Sequence, residues 1–170
     1  MIKAILACDA VGGIAQHGIM PWPKNKKDLA HFQQLTKGHT VVMGRKTWEA
    51  PDMPSPLPRR KNVVITRDTS FTASGATVIT SDILDHINKL ATENTVYVIG
   101  GASLFHDLIE HIDVLHLTKI SCNWNCDTHI DLDKVAKHFK LIDSIKLDDT
   151  TTFECYLSRR LHDLSFSTTI

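Results

Sequence analysis

In the stretch IMPWPKNKKDLAHFQQL (19–35), Asp28, Phe32 and Leu35 recur at i, i+4 and i+7. That spacing puts them on one face of a helix, so a carboxylate sits on the stripe that should meet the core. Leu29 and Phe32 flank the same face. One reading is local: Asn25 is the N-cap, Asp28 is its N3 partner, and an acid in the first turn suits the helix macrodipole. The other is chemical: Asp28 occupies an apolar pocket, where a carboxylate holds its proton more tightly unless a cationic ligand group pairs with it. The helix alone leaves both open.

Two strand-to-helix junctions carry glycine. In VVMGRKTW (41–48), Gly44 closes a strand, and Arg45, Lys46 and Thr47 open a helix. In VYVIGGASLF (96–105), Gly100 and Gly101 precede a helix starting at Ala102. Unpaired N–H groups at such junctions favour an anion; the bland alternatives are a solvated basic face and a tight turn. Neither junction is a G-x-G-x-x-G fingerprint, and neither has the Lys-Ser/Thr of a P-loop. Two in one α/β chain suggest a ligand with more than one phosphate laid across the strand ends. Further cations stand at Arg67, directly after NVVIT (62–66), and in Arg59-Arg60-Lys61. Arginine can grip a carboxylate with two parallel hydrogen bonds; Arg59 and Lys61 read more simply as a charged loop.

Other chemistries find little support. Cys122, Cys126 and His129 have irregular spacing and no fourth ligand nearby, which argues against structural zinc. No G-x-S-x-G occurs, and no Cys-His pairing stands out for nucleophilic catalysis. Nineteen basic residues balance nineteen acidic ones, so the basic excess of a nucleic-acid-binding domain is missing. No apolar run is long enough for a membrane span, and MIKAILACDA is interrupted by Asp9 too soon for a signal peptide. The four cysteines read as free thiols of a reducing compartment, hence a cytoplasmic protein. Nothing marks a dimer surface, so a monomer is expected.

The elements that must position these residues follow from hydrophobic patterning. IKAILAC (2–8), TVVMG (40–44), NVVIT (62–66), TVIT (77–80) and TVYVIG (95–100) are unbroken and mostly β-branched, as strands buried on both faces are. Helical patterns lie between them at 25–36, 45–50, 81–91 and 102–111. This alternation predicts a single α/β domain, with a mostly parallel central sheet and helices on both faces. Beyond 112 the segments 113–120, 138–145 and 151–161 read as strands, and an antiparallel hairpin closing one sheet edge is expected. Residues 49–62 hold four of the six prolines and form a restricted loop. The domain is expected to span 1–160, leaving 161–170 as an unassigned tail.

Taken in order, the motifs resemble dihydrofolate reductase. MPW (20–22) is similar to the family's mobile active-site loop, with the acid following after five intervening residues. VMGRKTWE (42–49), PLPRRKNVVITR (56–67), VIGGASLF (98–105), LHLTKI (115–120), CDTHI (126–130) and FECYLSRR match later family segments. The resemblance implies hydride transfer from NADPH to C6 of 7,8-dihydrofolate, with protonation at N5. Asp28 would bind the pterin's 2-amino group and N3, helped by Thr118, with Trp22 in the same catalytic group. Ile5, Ala7, Leu29, Phe32, Leu57 and Ile99 would line the substrate pocket, and Arg60 would clamp the α-carboxylate of the glutamate.

For the cofactor, the resemblance implies that Arg45, Lys46 and Arg67 surround the 2′-phosphate. Gly100, Gly101, Ala102, Ser103 and Leu104 would meet the pyrophosphate, and Ala7, Ile14, Gly18, Met20 and Phe105 would lie around the nicotinamide. Gly44, Thr47, Thr66 and Thr128 would complete the cofactor site. Antifolates are implied as inhibitors. The chain departs from the family pattern at Ala15, Cys126 and Arg59, where glycine is common, and in a longer 50–55 loop. The rival readings are a related reductase of a pteridine or riboflavin precursor, which would have no glutamate tail for Arg60, and a silent nucleotide- or folate-binding module.

Overall fold

The computed structural model describes residues 1–167. In chain order the elements are β1 (Ile2–Cys8), β2 (Gly13–Ala15), α1 (Lys26–Thr36), β3 (Thr40–Gly44), α2 (Arg45–Trp48), β4 (Lys61–Ile65), β5 (Ala76–Ile79), α3 (Ile83–Glu93), β6 (Val96–Gly100), α4 (Ala102–Leu108), β7 (Val114–Ile120), β8 (Thr128–His129), α5 (Leu132–His138), β9 (Phe139–Lys146), β10 (Thr151–Ser158) and α6 (Arg159–Ser167). A 3₁₀ turn at Ile109–His111 follows α4.

Eight strands form one sheet in the order β5-β4-β3-β6-β1-β7-β10-β9. The pairs from β5 through β7 are parallel, and β10 pairs antiparallel with both β7 and β9. The mostly parallel sheet and its terminal antiparallel hairpin are thus as the patterning requires. Successive residues of β3 show why its sequence is unbroken: Val41 packs with α1 on one face, while Val42 packs with α3 and α4 on the other. Each such buried side chain contributes about 1.5–3 kcal/mol of hydrophobic stabilisation before entropy is counted.

Several boundaries differ from expectation. The helix expected over 45–50 is a single turn, Arg45–Trp48. The helix expected to 111 ends at Leu108 and tightens into the 3₁₀ turn. The last strand stops at Ser158, where the amide donates to Asp113 O at 2.8 Å, and α6 begins at once. The tail left unassigned is therefore helical through Ser167, while 168–170 lie outside the described residues. Patterning also misses the two-stranded β2–β8 ribbon and the short helix α5.

The proline-rich loop is pinned by a residue that sequence alone does not single out. Asn62 is buried at the start of β4. Its Oδ1 accepts from Leu57 N at 2.9 Å, and its Nδ2 donates to Leu57 O at 2.9 Å and Arg60 O at 3.0 Å. One side chain thus fixes both Leu57, which turns into the core, and the backbone of Arg60.

Candidate active site

β1, β3, β6 and β7 run parallel, so their C-terminal ends lie on one side of the sheet, and α1 packs on the face beside them. Asn25 caps α1 as expected, accepting from Lys27 N at 3.0 Å and Asp28 N at 3.1 Å. It also anchors the helix start to β10, because its Nδ2 donates to Thr151 Oγ1 at 2.8 Å. The Asp28 carboxylate does not serve the cap. Its Oδ1 accepts from Thr118 Oγ1 at 2.5 Å, across 90 residues of sequence. Burial pushes the Asp28 carboxyl above its ordinary range, and the Thr118 hydroxyl and nearby His31 only partly oppose this. The Asn25 cap of the local reading is present, but Asp28 does not close a capping box: the capped helix start instead turns a half-buried acid towards Thr118.

Most of the residues that the resemblance places in the substrate pocket fall in two apolar clusters. Ile5 and Leu57 are buried in one apolar cluster, against which Phe32 and Ile99 pack. Leu29 is half-buried on the same helix. Ala7 packs instead with Trp22, Ile120 and Cys126. At the rim, Arg60 Nε donates to Thr36 Oγ1 at 3.0 Å and Nη1 donates to Pro58 O at 3.0 Å, with the guanidinium 5.7 Å from the Phe32 ring centre. Among the described residues no carboxylate pairs with it, so a held cation stands beside Phe32 with its charge unanswered.

The two glycine junctions lie against each other. A Cβ added at Gly44 would lie 3.7 Å from Gly101 N, and one added at Gly100, whose φ is +137°, would lie 3.2 Å from Thr47 Oγ1. Side chains larger than hydrogen would fill this cradle. The surrounding residues are less uniform than expected. Arg45 is engaged by Glu49 Oε1 at 3.0 Å and Asp68 Oδ2 at 2.9 Å, and lies over the Phe71 ring at 4.4 Å. Lys46 and Arg67 are exposed. Thr66 Oγ1 accepts from Asp68 N at 3.2 Å. Ser103 is exposed, whereas Leu104 and Phe105 are sealed into the core beneath α4. Phe105, at 0% exposure, is therefore not available to a ligand; α4 turns its ring inward to fill the sheet–helix interface. Ile14 likewise packs on the core of that face. Met20 is exposed, Gly18 takes a left-handed turn at φ +80°, and Thr128 Oγ1 donates to Asp127 Oδ1 at 3.0 Å.

Asp9, read in sequence only as the end of an apolar run, links the loops around the cleft. It is fully buried. Its Oδ1 accepts from Val11 N at 3.0 Å and Gly13 N at 2.8 Å, and its Oδ2 from Trp124 N at 2.9 Å. Burial alone would raise the Asp9 carboxyl, but these amides and the Cys126 thiol outweigh it and hold it below the ordinary range. The connection continues through Ala10 N to Cys122 O at 3.0 Å and Asp127 N to Ala15 O at 3.0 Å. Asp9→Ala removes the acceptor from one buried and two part-buried amides, which costs on the order of 2 kcal/mol. Chemical denaturation should show that loss; an unchanged midpoint would mean the loops hold without it.

Beneath α1, His116 is buried with neither ring nitrogen hydrogen-bonded, stacked 5.9 Å from Phe153. Burial, then Lys3 and His31, push its pKa down from 6.5 to about 4. Between those values the unfolded chain takes up a proton that the folded one refuses, so stability falls as pH drops through that window. The loss is on the order of 3 kcal/mol. Melting wild type and His116→Leu at neutral and mildly acidic pH should show a drop in wild type that the variant largely lacks. Equal drops in both would place the acid sensitivity elsewhere.

A mostly parallel sheet, with a half-buried acid beside an apolar wall and a glycine cradle at the strand ends, is the arrangement of α/β proteins that bind a nucleotide and a small molecule together. The family model described as Dihydrofolate reductase matches residues 1–160. A dihydrofolate reductase of Bacillus subtilis (strain 168) is 39% identical over 129 residues, covering 76% of this chain and 74% of the relative. A dihydrofolate reductase type 8 of Escherichia coli is 34% identical over 167 residues, covering 94% and 97%. Among solved structures, the dihydrofolate reductase from Enterococcus faecalis complexed with NADP(H) and RAB-propyl superimposes with a TM-score of 0.78 at 29% identity, covering 93% of this chain and 96% of the other. The chain belongs to the dihydrofolate reductase family.

Proposed function

We infer that the chain catalyses NADPH-dependent reduction of 7,8-dihydrofolate to 5,6,7,8-tetrahydrofolate, and that Asp28 is its acidic centre. The observation that carries this is the Asp28–Thr118 pair at 2.5 Å, in a cleft walled by Ile5, Phe32, Leu57 and Ile99 with Arg60 at its rim. A flat heterocycle with a donor edge and a carboxylate tail fits that order of groups. An ionised Asp28 accepts from the pterin's 2-amino group and N3, while Thr118 fixes which carboxylate oxygen faces the ring. The charge on Asp28 favours the protonated pterin, so N5 receives its proton from water under that influence. Trp22, buried against Ile120, supports the loop that closes over the ring and keeps bulk water out.

NADPH fits the second half of the site. The cradle of Gly44, Gly100 and Gly101 admits close backbone approach, and Lys46, Arg67 and Arg45 supply positive charge for a 2′-phosphate. When bound, the cofactor supplies the hydride for C6 of the substrate. The chain's part is to hold both molecules in approach geometry. Arg45 shares its charge with Glu49 and Asp68, so the 2′-phosphate depends more on Lys46 and Arg67.

Arg60 favours folate over a pteridine or riboflavin precursor, which has no glutamate to clamp. Inhibition by antifolates bearing the same donor edge, a monomeric state, and a cytoplasmic location belong to the same reading; the four unpaired thiols support the last. The deciding assay follows NADPH absorbance with 7,8-dihydrofolate added. Steady oxidation that requires the folate is expected. A folded protein that binds NADPH and never oxidises it would return the choice to the rival reductase or the silent module.

A further inference from the structure

The cleft accounts for Arg60 but not for Arg59. Arg59 is exposed and adopts φ +59°, a left-handed conformation that strains a non-glycine residue. The turn between α1 and β3 holds it there, because Gly38 N donates to Arg59 O at 2.9 Å. Arg59 and Arg60 form the wall of a groove of about 380 Å³ along the outer side of α1, lined also by Gln33, Gln34, Lys37 and Pro58. That lining holds three cations and no acid, in a chain whose net charge is zero. The two arginines also border a second hollow on their other side. There Lys61 lies 3.6 Å from Glu93, so its charge is already answered. Among the described residues Lys37 and Arg59 have no such partner.

On the reading that Arg60 clamps the α-carboxylate of the substrate's glutamate, the γ-carboxyl is the one remaining point from which that tail can grow. Each further glutamate joined there as an amide adds an α-carboxylate, and Gln33 and Gln34 offer amide partners along the way. We propose that the groove bounded by Lys37 and Arg59 is a subsite for an oligo-γ-glutamyl tail. The chain then prefers folates carrying several linked glutamates to the monoglutamate. The proposal rests on the folate reading, and Arg59 sets the preference.

The test is the ratio of dissociation constants for folate monoglutamate and folate penta-γ-glutamate. Both are read by tryptophan quenching in the presence of NADP⁺, in wild type, Arg59→Gly and Lys37→Gln. Wild type should bind the longer tail roughly fivefold more tightly, since exposed ion pairs are individually weak. High salt should erase most of that advantage. In Arg59→Gly the ratio should fall towards one, and in Lys37→Gln part of the way. Glycine relieves the left-handed backbone, so unfolding cannot imitate the loss. Equal affinities in wild type, or an undiminished ratio in Arg59→Gly, would overturn the proposal. Binding is read without turnover, so failure of NADPH oxidation with the monoglutamate would count separately against the reductase reading.

Discussion

Asp28→Asn is expected to lower kcat about 10³-fold near neutral pH, the middle of the range for removing a positioned acid–base group. Asparagine keeps the shape and can still accept from Thr118, so the pocket survives. What disappears is the charge that favours a protonated pterin. In acid the substrate acquires its proton from solvent, so the variant's rate should climb as pH falls. A rate independent of pH, or a loss below tenfold, would remove Asp28 from the chemistry. The same substitution has a second readout with the opposite sign. Burial raises the Asp28 pKa, so the folded state binds that proton more tightly than the unfolded state does. Ionising Asp28 therefore costs stability above its folded pKa, and the cost vanishes below the unfolded value. Asp28→Asn should melt higher than wild type at neutral pH, by on the order of 1–3 °C, and lose that margin in acid. An inactive enzyme that is more stable than its parent is what a carboxylate held for function, against its own solvation, predicts.

That carboxylate was legible because helical periodicity is a strong pattern, and an acid at position i of an apolar i, i+4, i+7 face contradicts it. Its partner was not legible the same way. Thr118 lies in an ordinary buried strand, and only the family resemblance pairs it with a residue 90 positions away. Asp9 shows a different blindness. Its Oδ atoms serve main-chain amides of Val11, Gly13 and Trp124, and amides leave no trace in residue types. Asn62 escapes for the same reason. Among the cations, the Arg45–Glu49 pair could have been read from its i, i+4 spacing, but Asp68 arrives from beyond β4 and needs the fold. The parallel strands were readable because burial on both faces demands unbroken apolar runs. The ribbon of β2 and β8, three residues against two, is too short to show any period. At Ser158 an apolar strand passes into a helix with no glycine or proline to mark the change.

Arg60→Leu is expected to raise KM for dihydrofolate about 100-fold while kcat changes little. The carboxylate at the tail is remote from C6 and N5, so its grip is the same in ground and transition states; losing it weakens binding without touching the barrier. On the proposed clamp, the size is that of a charge-assisted, two-point contact at a half-buried site, where truncation costs on the order of 3 kcal/mol. Two tethers make the contact strong. Thr36 Oγ1 and Pro58 O each hold the guanidinium at 3.0 Å before any ligand arrives. Little side-chain entropy is then lost on binding. Arg60→Lys keeps the charge but not the fork, and should recover only part of the loss. Burial and the neighbouring Arg59 both depress the Arg60 pKa, the mark of a charge the folded chain would rather not hold, so Arg60→Leu should melt no lower than wild type. A fall in kcat comparable to the rise in KM would move Arg60 from the tail of the substrate to its reacting end.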